Sequence, residues 1–403
     1  MITGEQHTAI DANEAAWPVL FDRLARSGRK SRRPARASRY SVLARKRIIL
    51  LAKYSVTSST LSEVAQRRSR VARVQIVAWL VTAHYNAPRG NRLMDRREFL
   101  GAAAVLTASA AYSWSTPLPR RPYKNGIDLS IIAFGGIVVC GLSQAEASRR
   151  VAEAYDRGLN YFDCAPAYFN GEAELKLGEA LKPYRSKVFL AEKTGHRDAK
   201  GAREELERTL ERFHTDHVDL YQFHAVSSME DVDKILAPGG AAETFFAAKK
   251  EGKARHLGFS AHNAPAAVRL MDALELDSVM FPVNVNAWEN GGFGPQILSK
   301  AKSKGMARMA LKALAFGKWP ANLKESDRKY PKCWYQPIDD REMASLALRF
   351  TLNQDVTAAV PPGDERIFDL ALELVSAPLP PLSAAELTGL KTRISSLEPV
   401  FRA

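Results

Sequence analysis

The pattern of apolar and polar positions becomes regular after Gly126. Short apolar runs of the length of β-strands alternate with amphipathic segments in which apolar residues recur every three or four positions. The strand candidates, in chain order, are LNYFDCA, KVFLAEK, HVDLYQFH, ARHLGFS, SVMFPVN, MARMALKAL and TAAVPPG. This alternation predicts repeated β-α units around a parallel sheet.

Helix signals lie between these strand candidates. Ser143 with Glu146 three residues later forms a capping box, and the helix that it begins is expected to end before Gly158. Leu206, Leu210 and Phe213 recur at helical spacing. Further helices are predicted near residues 242–250, 264–274, 296–304 and 341–351.

The number of repeated units over about 270 residues favours an (α/β)8 TIM barrel. A doubly wound sheet is the alternative fold. That fold usually has a G-x-G-x-x-G phosphate loop after its first strand, and the local sequence FGGIVVCG does not match this pattern. The predicted domain organisation is therefore a leader over residues 1–93, a signal-like segment over residues 94–115 and a barrel over residues 120–398.

Charge separates the leader from the barrel. The chain has a net charge of +14, and residues 1–93 contain 18 Lys or Arg against 5 Asp or Glu, which accounts for 13 of these charges. A basic stretch without periodicity, such as RLARSGRKSRRPARASRYSVLARKR, is not expected to fold alone. It is either a basic arm for nucleic acid or anionic lipid, or an upstream stretch before a true translation start at Met94. We favour the second interpretation, so no nucleic-acid partner is expected for the barrel.

The segment MDRREFLGAAAVLTASAAYS has the layout of an export signal. Arg96 and Arg97 precede an apolar run, and Ala108-Ser109-Ala110 provides a small-residue cleavage site. The segment DRREFLG resembles the twin-arginine export motif. We therefore expect the twin-arginine export machinery as a partner and a periplasmic protein, or a cytoplasmic one if the signal is not used. Membrane spans need about 20 apolar residues, and the longest apolar run is shorter, so no stable span is expected.

The three cysteines predict neither a disulfide scaffold nor a metal site. Cys140, Cys164 and Cys333 lack the C-x-x-C spacing of zinc and iron-sulfur sites. A zinc site at His214, His217 and His224 is a weak alternative, since no thiol or carboxylate accompanies these histidines. We expect no metal.

Three successive strand candidates end in ionisable residues. Asp163, Lys193 and His224 each stand at the carboxyl end of a strand candidate, and Tyr168 follows in the loop after Asp163. In an α/β barrel this end of the strands carries the active site. Each residue alone is more typical of a loop cap or a surface position, but the four together favour an active site at this end of the barrel.

These four residue types compose a reduction chemistry. An ammonium beside a phenol is expected to lower the pKa of the phenol, and a carboxylate keeps the ammonium charged. Tyr168 is then expected to act as a general acid, while His224 orients a carbonyl oxygen. Because no side chain donates a hydride, a nicotinamide cofactor is implied.

The motifs resemble those of the aldo-keto reductase family. GLNYFDCAPAYFNGEAELKLGEAL, VFLAEKTG and VDLYQFHAV resemble the family segments that carry the catalytic Asp, Tyr, Lys and His, which fall here on Asp163, Tyr168, Lys193 and His224. The likeness runs from about Gly126 into the 390s. It implies an (α/β)8 barrel that binds NAD(P)H at the carboxyl ends of its strands and reduces an aldehyde or ketone, or oxidises the alcohol.

The resemblance also implies cofactor-binding residues. HLGFSAHN resembles the segment that holds the nicotinamide amide, here Ser260 and Asn263. Asn284 in FPVNVNAW stands near the place of a family glutamine, and Lys312 in MALKALAFG is expected to contact phosphate. For each, a polar residue that merely caps a loop is the alternative.

The segment expected beside the adenine departs from the family pattern. VPPGDERIFD places Gly363 and Arg366 as cofactor-binding candidates, but Asp364 and Glu365 precede the arginine. Since acidic residues repel a 2'-phosphate, NAD is a plausible cofactor beside NADP.

A slow-turnover barrel that senses redox state through bound cofactor is the alternative function. The aromatic residues Trp288, Phe293, Trp319 and Trp334 are expected either to wall the pocket or only to pack.

Overall fold

The computed structural model describes residues 118–403. The predicted leader (residues 1–93) and the twin-arginine signal-like segment (residues 94–115) lie outside the described residues. The predicted barrel, residues 120–398, lies within them.

Eight parallel strands form the barrel. The strands, in chain order, are β3 (Phe134–Gly135), β4 (Tyr161–Asp163), β5 (Phe189–Thr194), β6 (Val218–Val226), β7 (Ala254–Ala261), β8 (Ser278–Pro282), β9 (Ala307–Leu311) and β12 (Ala358–Val360). Each pairs with the next one along the chain, from β3 to β12. Ile132 closes the ring by a parallel bridge to Ala359, whose N–H donates to the Ile131 carbonyl at 2.8 Å. The predicted (α/β)8 TIM barrel is confirmed.

Helices pack outside the barrel. They are α1 (Gln144–Asp156), α2 (Glu172–Leu181), α3 (Ala199–Arg212), α4 (Met229–Leu236), α5 (Ala241–Lys250), α6 (Ala264–Ala273), α7 (Val285–Glu289), α8 (Pro295–Ser303), α9 (Arg341–Leu352), α10 (Glu365–Leu374) and α11 (Ala384–Ile394). The predicted capping box of Ser143 and Glu146 begins α1, which is capped at its other end by Arg157. Helix α4 lies in the segment that joins β6 to α5.

A short antiparallel hairpin precedes the barrel. Its strands are β1 (Arg120–Lys124) and β2 (Ile127–Ser130). Asn125 and Gly126 turn between them with φ values of 53° and 78°, which is the backbone that an Asn-Gly hairpin turn requires. The Tyr123 ring lies 5.0 Å from that of Phe189, at the start of β5, so the hairpin covers the amino ends of the barrel strands.

Two apolar cores stabilise this arrangement. A small one fills the barrel and includes Tyr161, Leu220 and Met309, whereas the larger one lies between the strands and the helices. The two cores lie on opposite sides of the sheet, so both faces of its parallel strands are buried, as expected.

A two-stranded antiparallel sheet follows β9. Its strands are β10 (Ala315–Gly317) and β11 (Gln336–Pro337).

No helix within residues 118–403 is long and apolar enough to cross a membrane. The same residues hold no group of three or more His, Cys, Asp or Glu side chains placed to bind a metal ion. In particular, His217 pairs with Asp216 rather than with other histidines.

The contact between α2 and α3 depends on a glycine. A Cβ atom at Gly178 would collide with the carbonyl oxygen of Arg212. We expect Gly178→Ala to lower the free energy of unfolding by about 1–3 kcal/mol through overpacking. Gly389→Ala is the control, because Gly389 is also helical but a Cβ there would meet no atom within 4 Å. There alanine should stabilise by about 0.5–1 kcal/mol. Denaturant unfolding checks both, and equal gains would contradict a close approach.

Candidate active site

Neighbouring strands bring the predicted catalytic side chains together. Asp163 is the last residue of β4, and Lys193 is the fifth of the six residues of β5. Lys193 stands in register with Gln222 of β6, two residues before His224. Asp163, Tyr168, Lys193 and His224 all line one cavity at the carboxyl ends of the strands, as the sequence predicts.

The Lys193 ammonium is the centre of this group. Its Nζ lies 2.5 Å from Asp163 Oδ1 and donates to the Cys164 carbonyl at 2.6 Å and to the Tyr168 hydroxyl at 3.4 Å. The side chains of Lys193 and Asp163 are each only 1% exposed. Burial by itself lowers the pKa of Lys193, but Asp163, Tyr168 and Glu192 together outweigh burial, so the pKa is raised. Lys193 is therefore a cation at every physiological pH.

Asp163 has further partners beside the lysine. Its Oδ2 accepts from Gln222 Nε2 at 3.2 Å and from the Tyr161 hydroxyl at 3.4 Å. Gln222 was not predicted as a site residue, although it lies two positions before His224 and residues two apart on a strand share a face. That spacing in HVDLYQFH is the signal that would have identified it.

Tyr168 lies in a short helical turn, Tyr168–Gly171, that follows β4. Phe169 and Asn170 have φ values of 50° and 54°, so this turn holds two non-glycine residues in the left-handed region. The Tyr168 ring stands edge-on to the His224 ring, with centroids 5.8 Å apart and planes at 83°. The phenol thus has the ammonium on one side and the imidazole on the other.

The expected lowering of the Tyr168 pKa is wrong. Burial raises the pKa of Tyr168 to about 12, although the Lys193 ammonium opposes the rise. The phenol is therefore protonated throughout the physiological range. The sequence could not reveal this, because desolvation depends on how the folded chain packs around the hydroxyl.

His224 is neutral in this surrounding. Burial and the positive charges of Lys193, Lys312 and Arg197 lower the pKa of His224 to about 3. Its carbonyl accepts from Arg197 Nη2 at 2.7 Å, and the N–H of the next residue, Ala225, donates to Ser260 Oγ at 2.7 Å. Ser260 therefore supports the backbone behind His224 as well as lining the cavity.

The predicted cofactor residues divide into two groups. Ser260, Lys312 and Gly363 line the cavity with the catalytic candidates. Asn263, Asn284 and Arg366 do not belong to this lining. A Cβ at Gly363 would collide with the Ile137 side chain, so this wall needs a glycine.

Each residue of the second group has a local partner. Asn263 and Asn284 cap α6 and α7, because their side-chain oxygens accept from Ala266 N–H and Ala287 N–H. The Nδ2 atom of Asn284 is buried and has no hydrogen-bond partner within the described chain. Arg366 pairs with Asp364 at 2.9 Å and is more than half exposed.

Of the four aromatic residues considered for the wall, only Trp334 lines the cavity. Phe293 is fully buried, and Trp288 packs against Phe350. Trp319 donates from Nε1 to the Cys333 carbonyl at 2.8 Å. The cavity wall also contains residues that were not predicted, namely His262, Lys332 and Tyr335. For His262 a signal exists, since it stands two positions after Ser260 in HLGFSAHN.

Comparisons with known proteins agree with this geometry. The profile of the Aldo/keto reductase family matches residues 132–367. The chain is 34% identical over 146 residues to an aldo-keto reductase of Bacillus subtilis, a match that covers 33% of this chain and 42% of that protein. It is 25% identical over 273 residues to L-galactose dehydrogenase of Arabidopsis thaliana, covering 61% of this chain and 84% of that protein.

A solved structure shares the fold. The holo form of an aldo-keto reductase from Bacillus halodurans matches with a TM-score of 0.54 and 22% identity, over 71% of this chain and 100% of that one. The match to the Bacillus subtilis relative spans less than half the length of that protein.

The buried pair of Lys193 and Asp163 has a measurable consequence. Asp163→Asn leaves the ammonium buried without its anion, and we expect a loss of about 3–5 kcal/mol in the free energy of unfolding. The double variant Asp163→Asn with Lys193→Met removes both charges and should recover most of this loss. Denaturant unfolding of the four proteins in the cycle measures the coupling.

A surface pair provides the control for that cycle. Arg269 and Asp233 also form an ion pair, but both side chains are well exposed, so Asp233→Asn should change stability little. Equal losses for Asp163→Asn and Asp233→Asn would contradict the central role of the buried pair.

Proposed function

The chain belongs to the aldo/keto reductase family, and on this premise we propose that it is an oxidoreductase that reduces an aldehyde or ketone with a nicotinamide cofactor and with Tyr168 as general acid. The observation that carries the proposal is the buried chain of contacts from Asp163 through Lys193 to the Tyr168 hydroxyl, with His224 beside the same phenol. Burying an ion pair has a high desolvation cost, and buried groups with perturbed pKa values cluster at functional sites.

Residues around the cavity fit a nicotinamide cofactor. Asn284 lies outside the cavity lining, but its buried amide donor, Nδ2, has no partner among the described residues, and a carboxamide oxygen is the type of group that such a donor binds. Ser260 and Gly363 in the wall are the further residues that would hold the cofactor. The cofactor, when bound, supplies the hydride that no side chain can provide.

The roles of the chain's own residues follow from their protonation. Tyr168 carries its proton at neutral pH and can give it to the alkoxide oxygen that develops from a carbonyl. Lys193 favours the resulting phenolate, and Asp163 holds Lys193 in place. Neutral His224 can donate one hydrogen bond to the carbonyl oxygen and so orient it.

The high pKa of Tyr168 keeps the phenol in the protonation state that reduction requires. Reduction requires the protonated phenol, which dominates well below pH 12, whereas alcohol oxidation requires the phenolate as base. We therefore propose that the chain works as a carbonyl reductase at physiological pH, with oxidation rising as the solution becomes more alkaline.

We propose that NADH is accepted as well as NADPH. The guanidinium of Arg366 is engaged by both oxygens of Asp364, at 2.9 Å each. An arginine paired in this way has less capacity for a 2'-phosphate, and Glu365 adds a second negative charge nearby.

Export remains a proposal from the sequence of residues 94–113. Free nicotinamide cofactors are scarce outside the cytoplasm, so an exported reductase should keep its cofactor bound. N-terminal sequencing of the protein from its native host tests export, since peptides from residues 1–93 in the exported form would contradict a start at Met94.

Tyr168→Phe removes the proton donor and keeps the ring. We expect it to lower kcat for aldehyde reduction by about a hundredfold to ten-thousandfold, while the Kd for NADH or NADPH changes little. Steady-state assays on a panel of aldehydes and sugars, with each cofactor, measure the first quantity, and quenching of protein fluorescence measures the second.

Tyr184→Phe is the matched control. Tyr184 stacks on Tyr155 and lies at the end of the α2 region, outside the cavity lining, so its loss should leave turnover unchanged. Tight cofactor binding with negligible turnover in the unaltered protein would instead support the redox-sensing barrel. An unchanged kcat in Tyr168→Phe would contradict the proposed acid.

A further inference from the structure

Three lysines line the catalytic cavity, and they differ in their partners. Lys193 pairs with Asp163, and Lys332 pairs with Glu365 at 2.8 Å. Lys312 has no carboxylate partner among residues 118–403. A cation in a partly enclosed cavity without a counter-ion is costly, which suggests that an anion completes it.

The surroundings of Lys312 hold its ammonium in the cavity. Nζ lies 3.4 Å from Nε2 of His262, and it stands 5.6 Å and 5.3 Å from the ring centroids of Trp334 and Phe401. The Phe401 ring in turn lies 4.9 Å from that of His262. Two aromatic faces and a neutral imidazole thus stabilise the cation weakly but do not neutralise it.

The backbone also favours this placement. Lys312 follows the last residue of β9 and has a φ of 58°, in the left-handed region that a lysine seldom adopts. The strand end and the turn to β10 therefore fix the side chain toward the cavity despite a local conformational cost.

The ammonium lies close enough to the catalytic groups to act on them. Its charge contributes to the low pKa of His224, and also to that of His262, which burial together with Lys312 and His224 lowers to about 2. Burial, and then Lys193, lower the pKa of Lys312 itself to about 7, with Asp163 opposing. Lys312 thus changes charge near neutral pH, and a bound anion would favour its protonated form.

We propose that Lys312 binds a carboxylate on the carbonyl substrate, so that the enzyme prefers aldehydes or ketones that carry an acid group. This inference rests on the proposed reductase function. Trp334, Tyr168 and His224 line the same cavity as Lys312, so the carbon skeleton attached to a carboxylate held by Lys312 would lie in the cavity that these residues line. The alternative source of the anion is a cofactor phosphate, which the experiment separates.

The test compares acid substrates with their neutral methyl esters. We expect kcat/KM for 3- and 4-carboxybenzaldehyde to exceed that for their methyl esters, and Lys312→Met to reduce this preference by about tenfold to a hundredfold. Lys318→Met is the matched control: Lys318 pairs with Glu398 on the surface a few residues away, and its loss should keep the preference. An unaltered enzyme without acid preference would overturn the proposal.

The preference should also depend on pH. The groups that face Lys312 are His262, His224, Lys193 and Asp163. Both histidines are neutral and Lys193 is charged across the range from pH 5 to 9, so we assign a step near pH 7 to Lys312. As the pH rises through about 7, Lys312 loses its proton and the preference for the acid should fall, whereas turnover of the ester should not show this step.

Two binding measurements keep the outcomes distinct. If Lys312→Met weakens NADH or NADPH binding tenfold and leaves the acid preference unchanged, the anion is a cofactor phosphate and the proposal is overturned. If no carbonyl is reduced at all, the reductase function fails, and calorimetry with benzoate and benzamide still decides on Lys312. Benzoate binding at pH 6 that is lost in Lys312→Met supports the carboxylate site, and equal binding of benzoate and benzamide overturns it.

Discussion

The ion pair between Lys193 and Asp163 is the constraint on which the site depends. Both groups are almost wholly removed from water, so each requires the other and each requires further hydrogen-bond partners. Asp163 receives them from Gln222 and Tyr161, and Lys193 provides them to Cys164 and to the Tyr168 phenol. These residues come from three adjacent strands and one loop. A displaced strand would therefore leave a buried charge without a partner, which ties the geometry of the site to the register of the sheet.

The sequence predicts the barrel and the four central side chains for a local reason. Each of Asp163, Lys193 and His224 interrupts an apolar run where a strand ends, and parallel strands must bring such ends together. Helix bounds also follow from local signals such as the capping box at Ser143. What local pattern does not contain is packing. The raised pKa of Tyr168 and the pairing of both Asp364 oxygens with Arg366 depend on which groups the folded chain places beside them.

The sequence also contains signals for features that were not predicted from it. The Asn125-Gly126 pair is a strong indicator of a hairpin turn, and the hairpin that it forms covers the amino ends of the barrel. Gln222 stands two residues before His224 on β6, and His262 stands two residues after Ser260, just beyond the end of β7. Lys312 was expected at the cavity, but only the folded structure shows that, within residues 118–403, it lacks the carboxylate that the other cavity lysines possess.

The site is divided along the chain. Asp163, Tyr168, Lys193 and His224 all come from the first half of the barrel, on β4 to β6. Lys312, Trp334 and Gly363 come from the second half, beyond β8. The buried network around Lys193 and this part of the cavity wall are thus encoded in separate stretches of sequence. Exchange of the second stretch between relatives would change the cavity wall and leave the central ion pair in place, so the shape of the cavity can vary independently of the network behind it.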